Sequence, residues 1–266
     1  MKTIETIFSP KADDLSTQQT LSLIGAAGLV TLLITIIPGL SLLSYPFRLL
    51  LTIVHELGHG LAALLTGGEF IRFQISANGS GLAFTSGGWR LVVIPAGYLG
   101  VALFGAALIM LGRDHRWSRT AMGLIGGGMI LLGLFYAVPT IFTIHILSGI
   151  LTTFASLAFG ALFLWIAFKA PPGGIIFLLH IVAIQAGLTA FTDLFTVIGL
   201  STLFFRAPNN DARSMAELTF IPAIVWAIIW VVAAIVIIGG AIWLTWLRTD
   251  EAKTRLTGTL PKRPRL

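Results

Sequence analysis

Charged residues and cysteines are both scarce in this sequence. Only 11% of its 266 residues are charged, against about a quarter in an ordinary soluble domain, and 56% are hydrophobic. The charges fall in short clusters between long apolar runs. A chain that crosses a bilayer several times has this pattern, because each crossing needs about 20 apolar residues. The composition excludes an ordinary soluble domain and makes the lipid bilayer the expected surroundings of most side chains.

The sequence contains no cysteine, which excludes disulfides and thiolate metal sites. Any transition metal would therefore need histidine and carboxylate ligands. The formal net charge is +6, and much of it lies after Trp246. Basic charge beside a membrane helix usually fixes orientation at anionic headgroups, so we expect no nucleic-acid partner.

Hydropathy predicts an all-α polytopic membrane protein with about seven transmembrane helices. The first apolar run is longer than that of a signal peptide, and no cleavage site follows it, so it is expected to be retained. The organisation is then a polar segment 1–19, a single transmembrane domain 20–248 and a basic tail 249–266. The protein is expected to be multi-pass, in the plasma membrane if bacterial, and the oligomeric state is unknown. The predicted segments are 20–43, 46–66, 90–111, 119–138, 141–168, 174–199 and 219–247.

A short β-hairpin is predicted at about 70–86, directly after the second apolar segment. Ile71, Phe73 and Ile75 alternate with polar residues, and this period of two indicates a strand with one apolar face. Asn78-Gly79 follows as a hairpin turn, and 82–86 provides a return strand. An open strand edge at 70–76 or 82–86 could hold an unwound peptide, although an ordinary hairpin plugging the bundle has the same pattern.

The second apolar segment contains the chemically informative motif. His55, Glu56 and His59 form His-Glu-x-x-His. On a helix the two histidines lie one turn apart on one face and can bind one metal ion, while Glu56 can reach a metal-bound water. Zinc lowers the pKa of such a water to about 7, so that a carboxylate can take its proton.

The position of the motif is more informative than its short pattern. Three ionisable side chains in the middle of an apolar helix are costly unless they coordinate a metal or face a polar cavity. The ordinary alternative is a polar packing patch with neutral histidines. At the level of function, the alternatives are a catalytically silent protein that binds membrane clients and a transporter with a polar site at the midplane.

Residues 52–105 resemble the M50 metallopeptidases, the site-2 protease group, in its M50B-like branch. The matching stretches are His-Glu-Leu-Gly-His-Gly at 55–60, Thr-Gly-Gly at 66–68, Asn-Gly-Ser-Gly at 78–81 and Pro-Ala-Gly-Tyr-Leu-Gly at 95–100. The resemblance implies a zinc ion held by two histidines of one helix and an aspartate of a later one. It also implies hydrolysis of peptide bonds in a transmembrane protein substrate, with Glu56 as general base. The chain lacks Leu-Asp-Gly and has no loop that could hold a PDZ domain.

Two residues are candidates for the third zinc ligand, and Asp193 is the expected one. It lies in an otherwise apolar segment with no Lys or Arg nearby in sequence, so its carboxylate needs a cation such as zinc. Asp211 lies in a polar loop just before a short helical pattern, where it could act as a helix cap instead.

The positive-inside rule predicts an external N-terminus and a cytoplasmic C-terminus. With seven crossings, Arg113, Arg116, Arg119, Lys169 and the basic tail fall on one side. The family resemblance suggests the opposite orientation, with the hairpin at 67–89 facing the cytoplasm.

Overall fold

The computed structural model describes residues 17–113, 115–201 and 210–247, and within the second range it describes the backbone alone from residue 190 onwards. The expected basic tail 249–266 lies outside the described residues, and so does most of the polar segment 1–19.

Long apolar helices make up most of the described chain and confirm the all-α polytopic membrane fold. Six are long and apolar enough to cross a bilayer. The elements in chain order are α1 (Thr17–Ile36), a 3₁₀ turn (Pro38–Ser44), α2 (Tyr45–Leu65), β1 (Glu69–Ile75), β2 (Gly81–Ser86), α3 (Arg90–Val93), α4 (Ala96–Leu111), α5 (His115–Leu132), a π-helical turn (Gly133–Ala137), α6 (Val138–Ile141), α7 (Ile146–Lys169), α8 (Pro172–Ser201), α9 (Asp211–Thr219), α10 (Ala223–Ile242) and a second π-helical turn (Trp243–Leu247).

The segment predicted as one helix at 90–111 is divided in the structure. Pro95 lacks a backbone N–H and separates the single turn of α3 from α4, which has 16 residues. Helix α4 is therefore shorter than the six spans. It begins within the bundle, where Ala96 and Gly97 lie against Gly58 of α2.

The predicted hairpin is confirmed as an antiparallel pair, with one correction to its face. Phe73 and Ile75 are buried as expected, but Ile71 is exposed and Phe70 is buried. The pairing register shifts between Phe70 and Arg72. A bulge adds one residue to a strand, so it reverses the side to which the preceding residues point. Simple alternation cannot place Ile71 for this reason.

The hairpin folds back along α2 from its C-terminal end to its N-terminal end. The N–H of Gly68 donates to Ala63, near the end of α2, over 2.8 Å. At the turn, the hydroxyl of Tyr45 donates to the carbonyl of Ala77 over 2.7 Å. A left-handed residue is needed in this turn, and Gly79 provides it with φ +83. Strand β2 consequently runs beside the His-Glu-x-x-His motif.

Two of the basic residues predicted on one side of the membrane, Arg119 and Lys169, belong to helix ends that lie together in the structure. The guanidinium of Arg119, in α5, donates to the backbone carbonyls of Ala167 and Ala170 at the end of α7. The start of α5 and the end of α7, which carries Lys169, therefore lie together. Which face is cytoplasmic stays a prediction of the positive-inside rule.

Candidate metal centre

Helix α2 places the two histidines of the motif on one face. It runs unbroken from Tyr45 to Leu65, with Pro46 in its first turn, where a missing N–H costs little. The imidazole rings of His55 and His59 have centroids 4.8 Å apart, and their Nε2 atoms are 3.1 Å apart. The spacing of four residues therefore produces the convergence that the sequence predicted.

Asp211 brings a carboxylate to the two imidazoles. Its Oδ2 lies 3.1 Å from Nε2 of His55 and 3.3 Å from Nε2 of His59. The sequence suggested that Asp211 could cap a short helix. In the structure it is the first residue of α9 and not the cap. Asn210 caps the helix instead, because its side-chain oxygen accepts the N–H of Arg213 over 2.9 Å. This arrangement leaves the Asp211 carboxylate available to the histidines.

The spacing of the three donor atoms fits a tetrahedral metal ion. Zinc bonds to histidine nitrogen and carboxylate oxygen are about 2.0–2.2 Å long, so neighbouring donors of a tetrahedral ion lie about 3.3 Å apart. The distances of 3.1, 3.1 and 3.3 Å between the three atoms are close to that value. Three protein donors around a tetrahedral ion leave one position for water or substrate, as in catalytic zinc sites.

A backbone carbonyl orients His59. Nδ1 of His59 lies 2.7 Å from the carbonyl oxygen of Val93 in α3, and this nitrogen must carry the proton to donate to it. In the neutral imidazole the lone pair is then on Nε2, as a metal ligand requires. The short helix α3, which follows the hairpin, thus fixes the tautomer of a residue in α2.

The histidines also control the protonation of Asp211. Burial alone would raise the pKa of its carboxyl, but the positive charges that His59 and His55 carry when protonated outweigh that effect and hold the pKa well below its usual range. Asp211 is therefore an anion at neutral pH, which is the form that binds a metal.

Glu56 lies between the donor cluster and strand β2. Its side chain is only 5% exposed. At Gly81 an added Cβ would collide with Glu56 Oε1, so a side chain there is incompatible with this position of the carboxylate. The hairpin therefore sets where Glu56 points.

Gly97 leaves the space that the two imidazole rings occupy. A Cβ at Gly97, near the start of α4, would collide with the Nε2 atoms of both His55 and His59. Close approach of α4 to α2 is confirmed by Gly58, where a Cβ would collide with the carbonyl of Ala96. One turn into α4, the ring of Tyr98 packs edge-on against His55 at 4.7 Å.

The donor cluster and Glu56 line one cavity of about 730 Å³, within the range of small-molecule sites. Strand β2 forms one wall through Gly81, Leu82 and Ala83, and α9 contributes Asn210 and Asp211. Arg90 and Tyr98 also line it. The cavity joins the donor cluster to the edge of a β-strand.

Of the four residues singled out from the sequence, His55, Glu56 and His59 lie together in this cavity. Asp193 belongs to α8, but its side chain lies outside the described residues. The role of Val93 was not predictable from the sequence, because it acts through a backbone carbonyl that any residue carries. Asn210 could have been identified, since an asparagine before Asp-Ala-Arg-Ser is a helix-start signal.

Fold and site together define a multi-pass membrane protein with a His-His-Asp donor cluster inside the bundle. The family model described as Peptidase M50B-like matches residues 25–241. The chain therefore belongs to this family, the site-2 protease-like branch of the M50 proteins. Searches of curated proteins and of solved structures gave no match.

Proposed function

We propose that this protein is an intramembrane zinc metalloprotease that hydrolyses peptide bonds of transmembrane protein substrates. The observation that supports it most directly is the convergence of His55, His59 and Asp211 beside Glu56. Membership in the M50B-like family supports the same reaction class. The proposed zinc ligands are His55, His59 and Asp211, which replaces Asp193 as the preferred carboxylate because of its distances to the histidines.

Glu56 is the proposed proton carrier. A zinc ion held by the three donors would supply a Lewis acid that polarises the scissile carbonyl and acidifies water. Glu56 takes the proton of the attacking water and passes it to the leaving amine.

Strand β2 is the proposed holder of the substrate. A substrate helix must unwind before hydrolysis, because its backbone groups are already hydrogen-bonded. An extended segment can then pair with an open strand edge. Strand β2 pairs with β1 on one side and lines the cavity with Gly81, Leu82 and Ala83. This arrangement would present the scissile bond to Glu56.

The test uses purified protein in liposomes, with metal content and cleavage of a single-span reporter measured on the same samples. Glu56→Gln should keep zinc and lose cleavage by about 10²–10⁴-fold, the usual contribution of general acid–base catalysis. His55→Ala and His59→Ala should lose both. Normal cleavage by Glu56→Gln would refute the mechanism, and zinc binding without any cleavage by the parent protein would identify a silent client-binding protein.

The third ligand needs its own comparison. Asp211→Ala should lose zinc and cleavage, whereas Asp193→Ala should keep both. Circular dichroism of both variants must match the parent protein. Loss of zinc in Asp193→Ala, with full zinc in Asp211→Ala, would return the assignment to Asp193.

A further inference from the structure

The two outer edges of the hairpin differ in what they face. In an antiparallel pair, residues alternate between those that bond to the partner strand and those whose backbone groups point outward. The N–H of Ser76 donates to the carbonyl of Ser80, so these two residues form a hydrogen-bonded pair at the turn. By alternation, the backbone groups of the next pair, Ile75 and Gly81, point away from the hairpin, and so do those of Phe73 and Ala83. On β2 these outward groups face the cavity. On β1 they face the bundle.

Two buried threonines occupy the outward groups of β1. The hydroxyl of Thr140, in α6, donates to the carbonyl of Phe73 over 2.9 Å. The hydroxyl of Thr152, in α7, accepts the N–H of Ile75 over 2.7 Å. Both threonines are 0% exposed. Their hydroxyls take the place that a third strand would otherwise occupy.

The helix geometry next to Pro139 accounts for the position of Thr140. Proline has no N–H to give to the carbonyl four residues earlier, that of Phe135, and the helix widens into the π-helical turn Gly133–Ala137. The ring of Tyr136, within that turn, stacks on Phe70 of β1 at 4.1 Å. The same irregular stretch thus packs on β1 through an aromatic ring and bonds to it through a hydroxyl.

The surroundings explain why one edge is closed and the other is not. Within a bilayer an unpaired backbone group has no water to bond, so an open strand edge is tolerated only beside a polar cavity. The outer edge of β1 lies against helices, so its backbone groups need hydrogen-bond partners from those helices. Edge β2 borders the cavity that holds Glu56 and the donor cluster, so it can stay open for a peptide.

We propose that Thr140 and Thr152 are positioning residues, which close β1 and reserve the edge of β2 for the substrate. The inference rests on the proposed function, since it assumes that a peptide strand binds at the hairpin. Without the two hydroxyls, the Phe73 carbonyl and the Ile75 N–H would be buried without partners, and the hairpin would lose its fixed distance from α7.

Kinetics on a single-span reporter test the positioning role. Thr140→Val and Thr152→Val keep the side-chain shape but remove the hydroxyl. In the double variant, which leaves the Phe73 carbonyl and the Ile75 N–H unpaired, we expect KM to rise about tenfold, with kcat and zinc content nearly unchanged. Thr153→Val is the matched control, because the Thr153 hydroxyl is buried without a hydrogen-bond partner among the described residues. An unchanged KM in the double variant would overturn the proposal.

Cross-linking shows directly which edge binds. The chain has no cysteine, so single cysteines can be placed at Leu82 of β2 and Ile71 of β1. The two side chains are equally exposed, at 51% each. The probe is a single-span reporter whose apolar helix is broken by Asn-Pro and carries one cysteine beside the break. Each cysteine variant also carries Glu56→Gln, so that the reporter is not cleaved.

The expected disulfide forms with Leu82→Cys and not with Ile71→Cys. Adding Thr140→Val and Thr152→Val should then weaken the reaction of Leu82→Cys, because the hairpin is no longer held in place. Equal reaction at both positions with the threonines intact would overturn the proposal that the edge of β2 is reserved for the substrate. Reaction at neither position would overturn strand pairing altogether, while the proposed protease would still stand if the parent protein cleaved the reporter.

Discussion

Helix α4 and strand β2 both pack on α2 through a glycine, but they meet different parts of the His-Glu-x-x-His motif. Gly97 of α4 lies against the imidazoles of His55 and His59, and Gly81 of β2 lies against the carboxylate of Glu56. Holding the metal donors and holding the proton carrier are therefore tasks of two separate elements. The difference predicts that one task can be damaged while the other survives.

The largest effect is expected at the donor side. In Gly97→Ala the new methyl group would displace both imidazoles, so zinc affinity should fall by at least about 100-fold, and cleavage with it. Metal content after dialysis against a zinc buffer measures this. Gly100→Ala is the control on the same helix, because its Cβ would meet Gly58 at an ordinary 3.5 Å. Equal zinc loss in both variants would point to general misfolding of α4.

A large but selective effect is expected at the base side. In Gly81→Ala the methyl group would displace Glu56, so cleavage should fall by about 10²–10⁴-fold, as when a general base is lost. Zinc content should stay at the parent level, because the atoms nearest to a new methyl group at Gly81 belong to Glu56 and Thr52 and not to the three donors. If zinc were lost together with activity, the assignment of the two tasks to α4 and β2 would be wrong.

A smaller effect is expected at the start of α9, which sets the carboxylate of Asp211. Asn210→Ala removes the helix cap at a cost of about 1 kcal/mol, so zinc affinity should fall by about fivefold. Asn210→Ser retains a capping oxygen and should bind zinc like the parent protein. A competitive zinc titration with a chelating dye distinguishes the two, and equal affinities of the Ala and Ser variants would contradict the capping role.

The smallest effect is expected on the outer face of the same helix. Arg213 and Glu217 form an exposed ion pair at 3.0 Å. Exposed pairs of this spacing contribute about 0.3–0.5 kcal/mol, so Arg213→Ala should change zinc affinity and cleavage by less than about twofold. A tenfold loss in either measurement would mean that α9 depends on this pair to hold Asp211.

Particular residues show how far the sequence could predict this molecule. The hairpin was predictable from Phe73, Ile75 and Asn78-Gly79, because alternation and turn chemistry are local properties. The bulge at Ile71 was not, since it depends on how β1 meets its neighbours. Helix α2 and its histidines were predictable for the same local reason, whereas the break at Pro95 was missed because the apolar run continues through it.

The sequence by itself determined the membrane class, the hairpin and the pairing of His55 with His59, because each depends on residues within a few positions of one another. Only the tertiary structure decided which described carboxylate meets those histidines. Asp211 is 156 positions from His55 and belongs to a polar stretch that looks like an ordinary helix start. The isolated charge of Asp193 in an apolar segment had favoured it as the third ligand, but composition does not show how far a residue lies from the histidines. The packing of α9 against α10 and Tyr98 of α4, through Ala212 and Met215, supplied that distance, and with it the proposed metal site.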